Sequence, residues 1–420
     1  MLLRIIYTLL LIIVSPFFLY SLLKKREGKP HIGKRWKEYF GVTPKLDTVS
    51  PPLWIHAVSV GEIIAAIPVI KAIKKQDPEL TILLTTTTTT GAEQAAKLGN
   101  LVEHRYMPLD FPFALKGFLK SVSPSKLLIM ETELWPNTLN IVTKVGIPIT
   151  VINARLSERS CKRYKKVQPI FDLLAKNLST VLCQHKDDAD RFVSLGIPEN
   201  KVHITGSVKF DIEVNDEVIN KGQQLREILG QDRPVWIAAS THEGEDEQVL
   251  EAHKTITSAY PDCLLILVPR HPERFSTVEQ LSIKMGFDTV KRSSQRVVSD
   301  STNVYLADTM GEMLVLMGAA DICFMGGSLI GDKVGGHNLL EPAALGKAII
   351  NGPSYFNFTD ITHQLKKEQA LLFCNTSSEL ASQVHQLIDN VQLRNSMAAS
   401  AIAVVDKNKG AIAKTIAMIN

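Results

Sequence analysis

The segment His56-Ala57-Val58-Ser59-Val60-Gly61-Glu62 follows the apolar run Leu53-Trp54-Ile55 and leads into a helix-like stretch, Ile63 to Lys74. A strand that ends in a glycine turn and enters a helix presents that turn where open α/β sheets bind ligands. Glu62 puts a carboxylate there, and a carboxylate so placed can take a proton from a substrate. The same position also complements a helix dipole, so the segment alone leaves both readings open. Eight further polar stretches stand after apolar runs. Met130-Glu131-Thr132-Glu133-Leu134-Trp135-Pro136 carries two acids one residue apart. Asn153-Ala154-Arg155-Leu156-Ser157 and Gly206-Ser207-Val208-Lys209-Phe210-Asp211 complete the first half. The second half has Ser240-Thr241-His242-Glu243-Gly244-Glu245, Pro269-Arg270-His271-Pro272-Glu273-Arg274 and Asp308-Thr309-Met310-Gly311-Glu312. Gly326-Gly327-Ser328 and Gly335-Gly336-His337-Asn338-Leu339-Leu340-Glu341-Pro342 follow. Each alone is explained as a cap or a turn, but capping does not account for so many at strand ends.

The second half has the residues of a nucleotide site. Arg270 meets a phosphate with a planar, permanently charged fork. Gly326, Gly327, Gly335 and Gly336 leave backbone N–H groups to face an anion, and a helix starting near Asn338 points its positive end the same way. Glu341, in that helix's first turn, would accept ribose hydroxyls or complement the dipole. There is no G-x-x-x-x-G-K-S/T loop and no G-x-G-x-x-G fingerprint, which weakens NTPase and dehydrogenase readings. H-E-x-x-H and G-x-S-x-G are also missing. Asp188-Ala189-Asp190 resembles a metal-binding D-x-D, but it opens a short helix, Lys186 to Leu195, where acids are expected anyway. No metal is expected.

The elements that position these groups alternate. Candidate strands are Leu53–Val58, Leu80–Thr85, Lys126–Met130, Ile149–Ile152, Val181–Gln184 and Val202–Ile204, then Val235–Ala239, Leu264–Val268, Val304–Leu306, Ile322–Met325, Ala348–Ile350 and Leu371–Phe373. Helix-like stretches between them imply right-handed βαβ units and parallel sheets. Twelve strands suit two sheets of six, with a boundary near residue 220 in the strandless segment Phe210 to Arg233. Two such domains would leave a cleft facing both sets of strand ends. The six threonines Thr85 to Thr90 finish a strand and cap the next helix. The end of the chain, Ala398 to Ile419, is helical in pattern with an interruption at Gly410.

With 420 residues, 45% hydrophobic and 21% charged, the composition is that of a globular protein with room for two cores. The formal charge of +4 does not suggest a nucleic-acid binder. Cys161, Cys183, Cys263, Cys323 and Cys374 are scattered and form no C-x-x-C, which favours a reducing compartment. Ile5 to Leu23 is uncharged and nearly all apolar, roughly 28 Å long as a helix. Lys24, Lys25, Arg26, Lys29, Lys34, Arg35 and Lys37 follow, without the small residues of a signal-peptide cleavage site. The expectation is an uncleaved membrane anchor over residues 1–23 with the rest of the chain in the cytoplasm. A helix lying in the interface is its rival.

Taken together, Ser59-Val60-Gly61-Glu62, Met130 to Asn137, Asn153 to Ser157, Gly206 to Asp211, Pro269 to Phe275 and Gly335 to Asn338 resemble the bacterial lipid A Kdo (3-deoxy-D-manno-octulosonic acid) transferases. The resemblance runs from the anchor to about residue 360. It implies a GT-B fold: two Rossmann-like domains (24–220 for the lipid acceptor, 221–420 for the donor) facing a deep cleft, with a last helix returning to the first domain. It implies inverting, metal-independent transfer of Kdo from CMP-Kdo to a lipid A precursor (lipid IVA) at the cytoplasmic face of the inner membrane, in lipopolysaccharide biosynthesis. Carried over by motif, Glu62 is the general base, and Glu131 and Lys209 stabilise the transition state. Glu131 would do so directly or by orienting Lys209. Pro269, Arg270, Met310, Gly311, Glu312, Asn338, Leu339, Leu340 and Glu341 correspond to CMP-binding stretches. One departure is Leu339, where the family often has proline. A GT-B sugar-nucleotide epimerase is a second reading, which would need no lipid and would exchange isotope into a UDP-sugar without an acceptor. A membrane-anchored nucleotide-binding module without catalysis is a third, and it would bind but form no product.

Overall fold

Strands with side chains buried on both faces read as continuous apolar runs, and that is how this chain builds its sheets. The computed structural model describes residues 2–23, 32–294 and 296–419. The first sheet holds β1 (Leu53–His56), β2 (Ile82–Thr86), β3 (Glu103–Tyr106), β4 (Lys126–Met130), β5 (Ile149–Ala154), β6 (Thr180–Cys183) and β7 (Val202–Ile204) in the order β3-β2-β1-β4-β5-β6-β7. The second holds β8 (Val235–Thr241), β9 (Leu264–Pro269), β10 (Thr289–Lys291), β11 (Val304–Leu306), β12 (Ile322–Met325), β13 (Ala348–Asn351) and β14 (Leu371–Phe373) in the order β10-β11-β9-β8-β12-β13-β14. Every pairing is parallel. Alternation sends successive side chains to opposite faces. Trp54, Leu83, Leu127 and Ile129 pack in one layer of the first sheet, and Leu53, Ile55, Ile82, Leu84 and Leu128 in the other.

All twelve expected strands form, but each sheet has seven rather than six. The additions, β3 and β10, are edge strands with little apolar character. Only Tyr106 of β3 and Val290 of β10 are fully buried. Short polar edges resist further pairing, and for the same reason they carry no hydrophobic signal.

The chain forms two units, Met1–Asp211 with Lys409–Asn420, and Ile212–Asn408. The division falls at Asp211 rather than near residue 220, because the helix Asp216–Leu229 packs on the helix Met313–Ala319 of the second unit. Two glycines permit the approach: a Cβ on Gly222 would lie 3.2 Å from the Gly318 Cα. Arg226 also pairs with Asp321 at 3.1 Å. The terminal helix, Ala411–Ile419, packs against the helix Val60–Gln76 of the first unit. The Asp211 carboxylate holds its start, accepting from the Gly410 and Ile412 N–H groups at 2.6 Å each.

The helix Leu2–Leu23 lies on the first unit. Arg4, Tyr7, Thr8, Leu11 and Ser15 form a half-buried stripe at helical spacing. Thr8 Oγ1 accepts from Asn137 Nδ2 at 2.9 Å, Tyr7 bonds the Asp110 carboxylate, and Leu11 joins the cluster of Tyr39, Tyr106 and Phe111. Asp110 in turn accepts from the Asn137 N–H at 2.9 Å and the Thr138 N–H at 2.6 Å, at the start of the helix Pro136–Lys144. Among the described residues, no helix is long and apolar enough to cross a membrane. The expected spanning anchor is therefore not supported, and one face of this helix is committed to protein contacts. Lys24, Lys25, Arg26 and Lys29 lie outside the described residues.

Candidate active site

In a doubly wound sheet the crevice opens where strand order reverses. In the first sheet that point lies between β1 and β4. Glu62 follows β1 and Glu131 follows β4. Ser59 caps the helix Val60–Gln76, its Oγ accepting from the Glu62 N–H at 3.1 Å. Glu62 reciprocates, taking the Val58 N–H at 2.8 Å on Oε2 and the Ser59 N–H at 3.2 Å on Oε1. The capping reading is thus realised, and it does not exhaust the group. Each carboxylate oxygen accepts one N–H here and has capacity for another. The residue is only 6% exposed. Burial pushes its pKa above the usual carboxylate range, with the charges of Glu131 and Glu133 adding to the rise.

Two strand ends beside it hold non-glycine residues in the left-handed region, Glu131 at φ 56° and Asn153 at φ 52°. Strained backbone of this kind collects at functional sites. Asn153 Oδ1 accepts from the Val208 N–H at 3.2 Å, which ties β5 to the turn Val208–Phe210 that carries Lys209. That turn packs against the helix of Glu62. The structure therefore brings Glu62, Glu131 and the Lys209 turn to the same end of one sheet.

In the second sheet the order reverses between β8 and β12. Here one expectation is overturned. The N–H groups of Gly327, Ser328 and Leu329 do not await an external anion. They donate to the buried Glu245 carboxylate at 2.6, 3.0 and 3.0 Å, and the His242 N–H joins them at 3.2 Å. The Gly326 N–H bonds Ala239 O and the Gly336 N–H bonds Gly327 O. A side chain from the turn after β8 already fills the nest after β12.

Arg270 follows β9, its N–H bonded to Thr241 O at 2.9 Å and its side chain exposed. Pro269 is buried at the end of β9, opposite Thr241. Glu341 accepts from Asn338 Nδ2 at 3.4 Å. Burial raises its pKa, and Arg270 is near enough to oppose the rise. The structure thus joins Arg270, Asn338 and Glu341. Leu339 and Leu340 are fully buried, so their side chains belong to the core, and the helix they introduce is short, Leu340–Ala344. Met310 is 59% exposed and Gly311 takes φ 84°. Their loop follows β11, the neighbour of β9. Glu312 receives two bonds from Arg292, at 2.7 and 3.1 Å, and one from Thr309 at 2.5 Å. It therefore shapes that loop rather than standing open to a ligand. The D-x-D acids have structural partners: Asp188 accepts from the Leu156 N–H at 2.8 Å and Asp190 pairs with Lys186 at 3.0 Å.

Residues 34–212 match the family model described as 3-Deoxy-D-manno-octulosonic-acid transferase (kdotransferase). The 3-deoxy-D-manno-octulosonic acid transferase of Haemophilus influenzae is 39% identical over 419 residues, covering 99% of this chain and 98% of that protein. The chain belongs to the Kdo transferase family. It is accordingly an enzyme of the glycosyltransferase class. Its two parallel-sheet α/β units resemble GT-B proteins. The UDP-GlcNAc 2-epimerase of Neisseria meningitidis superposes with a TM-score of 0.57 at 15% identity, covering 88% of this chain and 100% of its own. A glycosyltransferase from Rickettsia africae superposes with a TM-score of 0.55 at 14% identity, covering 88% and 98%. These two show the fold alone.

Two residues of this Kdo transferase carry more than sequence reasoning assigned them. Glu245 stood in a recognised strand-end stretch, but three of its four partners lie in the loop after another strand, β12. Arg292 follows β10, the edge strand without a hydrophobic signal. Arg292 holds the Glu312 carboxyl down to about 2. A depressed carboxylate contributes stability above its unfolded pKa and loses it as pH falls through the folded value. The thermal midpoint of the wild type should therefore exceed that of Arg292→Met at pH 6, and the gap should close as pH falls from 4.5 towards 2. Glu312 is about one-third exposed, so solvent keeps the gap modest. Melting curves across this range test it, and a gap unchanged at pH 2.5 would exclude the pair as its source.

Proposed function

We propose that this enzyme transfers Kdo from CMP-Kdo to a lipid A precursor, lipid IVA, with inversion and without a metal ion, in lipopolysaccharide biosynthesis. The observation that carries the reading is Glu62: a buried carboxylate with a raised pKa at the switch point of the first sheet, in a member of the Kdo transferase family. A sugar hydroxyl is a poor nucleophile at neutral pH, and Glu62 takes its proton as its oxygen attacks the anomeric carbon of Kdo. The bond from that carbon to the phosphate oxygen breaks, and its electron pair leaves with CMP. Lys209 and Arg270 meet the negative charge that develops. Glu131 either stabilises the oxocarbenium-like centre or orients Lys209. The first unit takes the acceptor. The second takes the nucleotide with Arg270, Asn338 and Glu341, together with the backbone of Met310 to Glu312 and of Pro269.

The site works at the cytoplasmic face of the inner membrane. Leu3, Ile5, Ile6, Leu9, Leu10, Ile13 and Phe17 are exposed on the amino-terminal helix, and a helix with one protein-bound face and one apolar face suits the lipid interface. The cations from Lys24 to Lys37 suit anionic lipid beside it.

One incubation tests the reading: purified enzyme, CMP-Kdo and tetra-acylated lipid A precursor, with and without EDTA, followed by mass spectrometry of the lipid. Products heavier by whole Kdo residues, in equal yield with EDTA, are expected. No mass gain would overturn the transfer. Loss with EDTA and recovery with added magnesium would overturn metal independence.

A further inference from the structure

Three imidazoles of the second unit have no part in the reaction above. His242 follows β8, His271 follows β9, and His337 lies in the loop before Asn338. Nε2 of His242 and Nε2 of His337 are 2.9 Å apart. Their rings lie within 10° of parallel with centroids 5.1 Å apart. That separation, with the two nitrogens in contact, is the geometry of rings joined edge to edge, so the contact is an N–H···N hydrogen bond rather than a face-to-face stack. The His271 ring stands edge-on to His242 at 5.3 Å. Glu245 holds both sides of the pair. It accepts from the His242 N–H on one side and from Gly327 on the other. Gly327 lies against the His337 ring, where an added Cβ would come within 2.9 Å of Cδ2.

A single proton sits between the two Nε2 atoms. The ring that accepts it is bare at Nε2, so in its neutral form it carries a proton on Nδ1. The neutral pair therefore shows one N–H on an outer edge. One added proton gives a donor on both outer edges and leaves the central bond intact. A second would set N–H against N–H and break it. The pair has room for one proton.

The surroundings keep that place empty when no anion is bound. Burial first, then His271, Arg274 and Arg270, lower His242 to about 4. Burial first, then His242, Arg270 and His271, lower His337 to about 4. The acids nearby are engaged: Glu245 with backbone N–H groups, Asp246 with Arg274 and Thr241, and Glu341 with Asn338. An anion beside Arg270 reverses the local field and raises the pair's affinity for a proton.

We infer that the His242–His337 pair, with Arg270, recognises the donor's phosphate and takes up one proton as that phosphate binds. The inference rests on the nucleotide-site reading above. In the transfer step the pair keeps its protons. The electron pair of the broken bond goes to the phosphate oxygen, the acceptor's proton goes to Glu62, and one outer N–H of the charged pair hydrogen-bonds the phosphate as it gains its second charge.

Calorimetry on the full chain tests this with two probes, cytidine and cytidine 5′-methyl phosphate, whose phosphate keeps a single charge near neutrality. Titrations at pH 6.5 in two buffers of different ionisation enthalpy count the protons. The wild type should take up a proton with the methyl phosphate and none with cytidine. His242→Gln and His337→Gln should each weaken methyl phosphate binding roughly ten- to hundredfold, abolish the uptake, and leave cytidine binding nearly unchanged, which shows that the site is still folded. Wild-type binding of the methyl phosphate without proton uptake, or unchanged affinity in both variants, would overturn the pair's role and leave the nucleotide site standing. Failure of the wild type to bind either probe would overturn both.

Discussion

Glu62→Gln should lower the rate of transfer roughly 10²- to 10⁴-fold and leave donor affinity within about twofold, because the donor groups lie in the other unit. The variant separates the capping duty of this carboxylate from the catalytic one proposed for it. As a cap, Glu62 accepts the Val58 and Ser59 N–H groups. Gln retains one acceptor oxygen, so the helix start loses at most about 1 kcal/mol. As a base, Gln accepts no proton at neutral pH, and the chemical step loses its proton acceptor altogether. A large fall in kcat with a small fall in melting temperature is therefore the signature of catalysis. A pH profile sharpens it. Burial raises the Glu62 pKa, so the acid limb of kcat/KM should lie above the usual carboxylate range and disappear from the residual activity of the variant. Near-normal turnover by the purified variant would refute the assignment.

Glu245→Leu should lower the melting temperature by about 10 °C or more. The substitution leaves the N–H groups of His242, Gly327, Ser328 and Leu329 without their acceptor in a buried site. Each orphaned donor costs roughly 1–3 kcal/mol. The sum is on the order of 5 kcal/mol, a large part of the roughly 5–15 kcal/mol that holds a domain together. Glu245→Gln is the graded control. Its amide keeps one oxygen for two of the donors and sets an NH₂ group against the others, so its midpoint should fall between wild type and Leu. Calorimetric melts check the order. A Leu variant within about 2 °C of wild type would show that water or a shifted loop replaces the carboxylate. The same variants should lose methyl phosphate affinity, because the carboxylate that holds the loops also aligns His242 with His337.

Much of the fold could be read from the residues because its signals are local. A buried parallel strand is a short apolar run and an amphipathic helix repeats every 3.6 residues, so twelve of the fourteen strands were recognisable, the edge strands β7 and β14 among them. β3 and β10 were not, since these edge strands lack an apolar run and are defined by their neighbours' open hydrogen bonds. The amino-terminal helix shows a related limit. Its hydropathy suggested a span, but Tyr7, Thr8 and Leu11 proved to be contacts with Asp110, Asn137 and the Tyr39 cluster.

The site divides the same way. Glu62, Glu131 and Arg270 were singled out because a polar group just after an apolar run marks a strand end, and Glu341 because it opens a helix after a glycine stretch. The residues alone could also establish the family, since its motifs are short, ordered segments. Only the tertiary structure decided which of these groups are open to a ligand. The glycines at 326 and 327 had the composition of an anion nest, yet their loop is bonded to Glu245, more than eighty residues earlier in the chain. Glu312 similarly proved to be held by Arg292. A residue's type and its place at a strand end are encoded nearby in the chain. Whether its hydrogen bonds are already satisfied depends on which strands lie side by side, and that is settled only when the sheet is assembled.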